Sequence, residues 1–233
     1  MTTRTIVVVG GTSGIGLELA RSLVARGDRV VLTGRHRAKA EAIAADVGPG
    51  ASAVAVDISE PATISGALAG IEGPVHGLVL AAIERDANTA REYDIDRALA
   101  LVTLKLVGYT ETIHRLLPAM APTASVLLFG GLAKDRPYTG STTVSSINGG
   151  VTGMVHTLAV ELAPVRINAI HPGIVGDSPM WRDNAAMLEN VAERTPIGRA
   201  VTMDEIVGAC VFLLENGGVN GVNLAVDSGW LLL

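Results

Sequence analysis

Four glycines at positions 10, 11, 14 and 16, set among Thr12, Ser13 and Ile15, are the first group in the chain equipped for chemistry. Glycine lets backbone approach a ligand closely, and a helix starting there offers free N–H groups and the positive end of its dipole. Together these hold a pyrophosphate. Beyond the next apolar run stands Gly34-Arg35-His36-Arg37. An acid at such a strand end takes the ribose hydroxyls of NAD, and here glycine occupies that place. Arg35 and Arg37 suit a 2′-phosphate, which guanidinium meets bidentately, so the expected cofactor is NADP(H). As plain solvated charges they would sit poorly at a helix start, which prefers acids. A third group is Lys134-Asp-Arg-Pro-Tyr-Thr-Gly-Ser-Thr-Thr143 with His171. In it Arg136 is a candidate clamp for an anion or enolate, Tyr138 a candidate acid, and His171 a group that titrates near neutrality. The plainer readings make Tyr138 a turn residue behind Pro137 and His171 a satisfied structural histidine.

These residues need elements to position them. Thr5–Val9 is mostly β-branched and runs straight into the glycines, while Ile15, Leu19, Leu23 and Val24 follow at helical spacing. The same reading along the chain predicts strands at 5–9, 29–33, 52–56, 76–81, 124–129, 165–170 and 222–226. Helices are predicted at 14–26, 36–47, 60–70, 95–119, 143–163 and 203–215. This alternation implies an α/β fold: a single-domain Rossmann-type, doubly wound, seven-stranded parallel sheet with helices on both faces, spanning 1–233. Ligands of such a sheet bind at the strand C-terminal ends. A hydrophobic fraction of 48% with only 3% aromatic residues means a core of Val, Ile, Leu and Ala, as buried parallel strands prefer. A net charge of −5 gives no basic face for nucleic acid. The lone Cys210, in an apolar helical run, reads as buried filler, with no cluster for a metal. No apolar run reaches membrane-spanning length. With the first strand starting almost at once, no targeting segment is expected, and the protein is expected to be cytoplasmic.

The spacing Gly10-x3-Gly14-x-Gly16 with its flanks resembles the short-chain dehydrogenase/reductase family, and the later segments extend the resemblance over nearly the whole chain. It implies that Asp57 and Ile58 form the adenine rim and that Ala81 and Ala82 stand where members usually carry an Asn-Asn-Ala-Gly stretch. It also implies that Pro172, Gly173 and Val175 belong to the turn covering nicotinamide, with the usual Thr matched by Asp177, or by Ser178 if one residue is inserted. Members use an Asn-Ser-Tyr-Lys tetrad for proton transfer. Ser125-Val-Leu-Leu-Phe-Gly-Gly131 resembles the strand that delivers the Ser, and Gly150 to Gly173 resembles the helix and strand after the Tyr. Read back from there, the four positions fall on Thr103, Gly131, Val144 and Asn148. All four differ from the family's residues, and Tyr-x3-Lys occurs nowhere in the chain.

Three expectations follow. One is an atypical NADP(H)-dependent oxidoreductase whose small, largely apolar substrate accepts hydride without the usual Tyr/Lys pair. Another keeps the pocket but not the redox step, as a cyclase, dehydratase or isomerase. The last is an inactive NADP(H)-binding partner subunit. Asn148 retains a side chain able to bond a ribose hydroxyl, and Gly130-Gly131 is expected to leave room in the pocket wall. Met180, Trp181, Met187 and Leu188 would line a substrate lid, or merely pack it down. The apolar tail Trp230–Leu233 points to a homodimer or homotetramer.

Overall fold

The computed structural model describes residues 3–84 and 86–233. Its seven strands are β1 (Thr5–Val9), β2 (Arg29–Gly34), β3 (Ala51–Ala55), β4 (Val75–Leu80), β5 (Met120–Phe129), β6 (Arg166–Pro172) and β7 (Asn223–Val226). All pair in parallel, in the order β3-β2-β1-β4-β5-β6-β7. Winding reverses between β1 and β4, so the C-terminal ends of these two strands open the crevice where such sheets take their ligands.

The helices are α1 (Gly14–Ala25), α2 (Arg37–Val47), α3 (Pro61–Leu68), α4 (Ile95–Val102), α5 (Tyr109–Leu116), α6 (Thr142–Glu161), α7 (Ala185–Glu193) and α8 (Met203–Glu215). They form two layers because strand side chains alternate between faces. Ile6 and Val8 join Leu19, Leu23, Ile206, Cys210 and Leu213 on the α1/α8 side. Val7 and Val9 join Ile64, Ile113, Val151 and Val155 on the opposite side. Each fully buried Val or Leu contributes roughly 1.5–3 kcal/mol. Cys210 is indeed filler: burial pushes its thiol pKa far up.

Three boundaries differ from the sequence expectation. The long fourth helix is interrupted by a π-helical stretch, Thr103–Gly108, and closes in a 3-10 turn at Leu117–Ala119. There Gly108 lies so close to β3's exit that a Cβ on it would stand 2.0 Å from the Ile58 carbonyl oxygen. Strand β5 starts earlier than expected, at Met120, which pairs with Val75 across a register shift. The lid contains a helix of its own, α7, capped by Asn184 accepting from the Met187 N–H. At the start of α8 the expected cap is present, with Thr202 and Glu205 bonding reciprocally. Among the described residues, no helix is long and apolar enough to cross a membrane.

Candidate functional site

The glycine turn is tight beneath and open above. Gly10 has φ +81, and a Cβ there would stand 2.6 Å from the Ala82 nitrogen. One on Gly16 would stand 2.4 Å from the Gly10 carbonyl oxygen. Both contacts are to backbone, so neither position accepts a side chain without moving a strand. Gly14, at φ +55, has nothing within 4 Å of its Cβ position. Helix α1 begins there with no acidic residue in its first turn and no side-chain cap, which leaves its positive end for an anion. Thr12, Ser13 and Ile15 fill the turn between these glycines.

At β2's exit the Thr12 methyl packs where a Gly34 Cβ would be, 2.7 Å away. A cavity of about 120 Å³ opens beside it, lined by Thr12, Ser13, Gly34, Arg35, His36 and Lys39. Arg35 meets Glu84 at only 3.5 Å. Arg37, expected to share this role, is 73% exposed and turned toward Glu41 at 3.7 Å; it does not line the cavity. Lys39, in the first turn of α2, lines it instead. His36 and Lys39 were missed in the sequence, although both stand in the basic run Arg35-His-Arg-Ala-Lys39. Asp57 accepts from Ser59 N–H and Oγ at 2.9 and 2.6 Å, an Asx turn closing β3. Ile58, expected on the adenine rim, puts its side chain into the core and leaves only its backbone for such a rim.

At the other end of the crevice the expected room is filled. The ring of His171 lies 2.3 Å from a Cβ built on Gly130, and the Asn148 amide lies 2.7 Å from one on Gly131. The two glycines therefore accommodate these side chains and do not enlarge the pocket. His171 sits within β6, buried, with Nδ1 accepting from the Gly131 N–H at 3.0 Å and Nε2 3.0 Å from Asn223 Oδ1. This assigns the proton to Nε2. Burial lowers the His171 pKa, countered in part by the Asn223 bond, so the ring is a neutral, fully engaged support and not a free titrating group. Arg136 is engaged as well: it donates to the Trp230 carbonyl oxygen and lies over the Trp230 ring, 4.3 Å from the centroid. Tyr138 is 61% exposed, and its backbone forms a turn with Ser141. The three candidates are thus not brought together. Of the remaining tetrad positions, Val144 is half-buried near the start of α6 and Thr103 begins the π-helical stretch.

In the turn after β6, Gly173 N–H bonds the Val226 carbonyl and Val175 bridges Val201. The Val175 side chain belongs to the core, so it presents only backbone to a ligand. Asp177 is committed to α8, accepting from the Met203 N–H at 2.8 Å. Ser178, 9% exposed, has a buried hydroxyl without a partner among the described residues. In the lid, Leu188 packs on Gly176, 3.3 Å from its Cβ position.

A further pair escaped the sequence reading. Lys105, in the π-helical stretch, donates to Tyr109 Oη at 2.8 Å and to the Phe129 carbonyl at 2.6 Å, and Tyr109 donates to the Ala82 carbonyl at 2.8 Å. A search for Tyr-x3-Lys passes over Lys-x3-Tyr. The available signal was one lysine inside the run Leu101-Val-Thr-Leu-Lys-Leu-Val107.

A parallel doubly wound sheet with a glycine turn at its switch point and a basic recess at β2's exit is the arrangement of Rossmann-type α/β folds. The family model described as enoyl-(acyl carrier protein) reductase matches residues 9–231. The chain belongs to the short-chain dehydrogenase/reductase family. It is 32% identical over 231 residues to 3-oxoacyl-(acyl-carrier-protein) reductase of Bos taurus, covering 95% of each chain. A Brucella melitensis structure described as short-chain dehydrogenase/reductase SDR:glucose/ribitol dehydrogenase superposes with a TM-score of 0.90 at 26% identity, covering 97% of this chain and 96% of that one. The 3-ketoacyl-(acyl-carrier-protein) reductase of the same organism, complexed with NADH, gives 0.85 at 26% identity and covers 98% of each.

Proposed function

We propose that the protein is an NADP(H)-dependent oxidoreductase that transfers hydride to or from a small, largely apolar organic substrate without a Tyr/Lys acid–base pair. The observation that carries this reading is the recess lined by Thr12, Ser13, Arg35, His36 and Lys39 beside the open glycine turn. A structural relative is complexed with NADH; the basic lining here favours a cofactor bearing an additional phosphate.

In this reading Gly10, Gly14 and Gly16 with the start of α1 hold the pyrophosphate, and Arg35, His36 and Lys39 hold the 2′-phosphate. Asp57 faces the adenine. Ala81, Ala82, Asn148 and the Pro172–Gly173 turn border the nicotinamide end, where the unpartnered Ser178 hydroxyl offers a bond to a carboxamide. The cofactor, when bound, supplies or accepts hydride. Trp181, Met187 and Leu188, half-buried in the lid, exclude water from the substrate. The loss of a positioned acid costs ~10²–10⁴ in rate, so the substrate class is one that takes hydride with less proton assistance, such as an iminium or a conjugated alkene.

The engagement of His171 and Arg136 favours a second reading, an NADP(H)-binding partner subunit without turnover. A panel of ketones, 3-oxoacyl thioesters, enones and imines, followed by NADPH absorbance and product analysis, separates the two. Stoichiometric NADPH oxidation with reduced product supports the oxidoreductase; product without cofactor turnover, or no reaction across the panel, overturns it. The exposed apolar side chains Ile95, Leu99 and Val107 and the tail support a homodimer or homotetramer, testable by light scattering of the purified protein.

A further inference from the structure

Lys105 is 1% exposed and has no carboxylate partner among the described residues. Its two bonds go to the Phe129 carbonyl, at the end of β5, and to Tyr109, whose own hydroxyl is tied to the Ala82 carbonyl beyond β4. Phe129 leads directly into Gly130-Gly131, against which His171 and Asn148 pack, and Ala82 presses on Gly10 of the dinucleotide turn. The amine is therefore fastened to the two backbone segments that border the nicotinamide end of the crevice.

Among the described residues, no other charge acts on it. Of the elements packed against the π-helical stretch, α3 has no ionisable side chain. On α4, Asp96 and Arg97 face solvent, and on α5, Glu111 pairs with Arg115 near exposed His114. On α6, the ionisable residues are His156 and Glu161, in its C-terminal half, and His156 bonds Asn223. From β5 only the Phe129 carbonyl reaches the amine. Past Gly131 lie His171, whose pKa burial lowers, and the Lys134–Asp135 ion pair, whose two charges act on His171 in opposite directions. Burial alone lowers the Lys105 pKa, to about 7, and raises that of Tyr109, so Lys105 is the member of the pair that changes charge near neutrality.

Resting on the NADP(H) reading above, we infer that Lys105 is a positioning residue whose charge is linked to the redox state of the bound cofactor. Its ammonium form is compatible with the neutral, reduced nicotinamide and opposes the cationic, oxidised one, so NADP⁺ binding expels a proton from Lys105 and NADPH binding does not. The π-helical insertion turns the side chain inward, as such insertions often do at functional sites.

The test is calorimetric titration of the full-length protein with NADP⁺ and NADPH from pH 6 to pH 8, in pairs of buffers of different ionisation enthalpy. The 2′-phosphate is common to both ligands and cancels in their ratio. The Kd of NADP⁺ divided by that of NADPH is expected to fall about tenfold from pH 6 to pH 8, with protons released on NADP⁺ binding only. Lys105→Met should make the ratio independent of pH, and Tyr109→Phe, which removes one bond but keeps the amine, should shift the midpoint and retain the dependence. A pH-independent ratio in the wild-type protein overturns the inference while leaving the cofactor reading intact. Failure of both nucleotides to bind removes the cofactor reading and this inference with it.

Discussion

The two ends of the crevice are built on different terms. At the β1–β2 end Gly10, Gly14 and Gly16 shape the turn by their backbone, and Gly34 opens the recess beside it, with Arg35, His36 and Lys39 among its lining. At the β4–β6 end the contours are made by side chains already satisfied within the fold. His171 fills the space over Gly130, Asn148 that beside Gly131, Lys105 and Tyr109 tie β4 to β5, and Arg136 holds Trp230. One end is prepared for a ligand; the other is spent on itself. On the proposed reading, a dinucleotide site persists where groups expected to move protons have been given structural bonds.

The comparison can be broken at several points. Gly10→Ala should be the most severe change, because a Cβ meets backbone at 2.6 Å and φ is positive. A loss of about 4–5 kcal/mol is expected by denaturant titration, and a loss under 1 kcal/mol would mean the turn is soft. Next is the pH dependence of stability from Lys105. Its folded pKa, about 7, lies below its unfolded value. Its contribution is therefore fully present above the unfolded pKa and is lost as pH falls toward 7. Between about pH 10 and pH 7 the wild type should lose on the order of 3–4 kcal/mol more than Lys105→Met. Parallel pH curves for the two proteins would place the amine in water. Arg136→Ala should cost about 1 kcal/mol by releasing a bond and a cation–π contact to Trp230, with NADPH affinity unchanged. An effect on affinity would return Arg136 to the site. Tyr138→Phe, at an exposed phenol, should alter stability by less than about 0.5 kcal/mol and turnover by less than about twofold; a larger drop in turnover would restore Tyr138 as an acid.

What the sequence made legible follows the same division. The β1 turn was readable because close approach and positive φ leave only glycine as a solution, so residue type reports backbone shape directly. The alternation of strands and helices, and the Thr202/Glu205 cap, were readable for the same local reason. Gly130-Gly131 misled, because an absent side chain does not say whether a ring forty positions away has taken the space. Ile58 was assigned to the adenine rim and Val175 to the nicotinamide turn by position, whereas their apolar side chains follow burial into the core. Lys105 could not be placed without the π-helical stretch, since one extra residue in a helical turn moves a side chain to another face. Arg37 and Lys39 lie on one short helix, and which of them reaches the recess depends on the phase of α2 after Gly34.

The most direct test of the account is calorimetric titration of the purified protein with NADPH and with NADH, repeated for Arg35→Ser. The account predicts that NADPH binds at least tenfold more tightly than NADH, about 1.4 kcal/mol, and that Arg35→Ser removes most of the difference while leaving NADH affinity in place. Equal affinities, or no binding of either nucleotide, would contradict it.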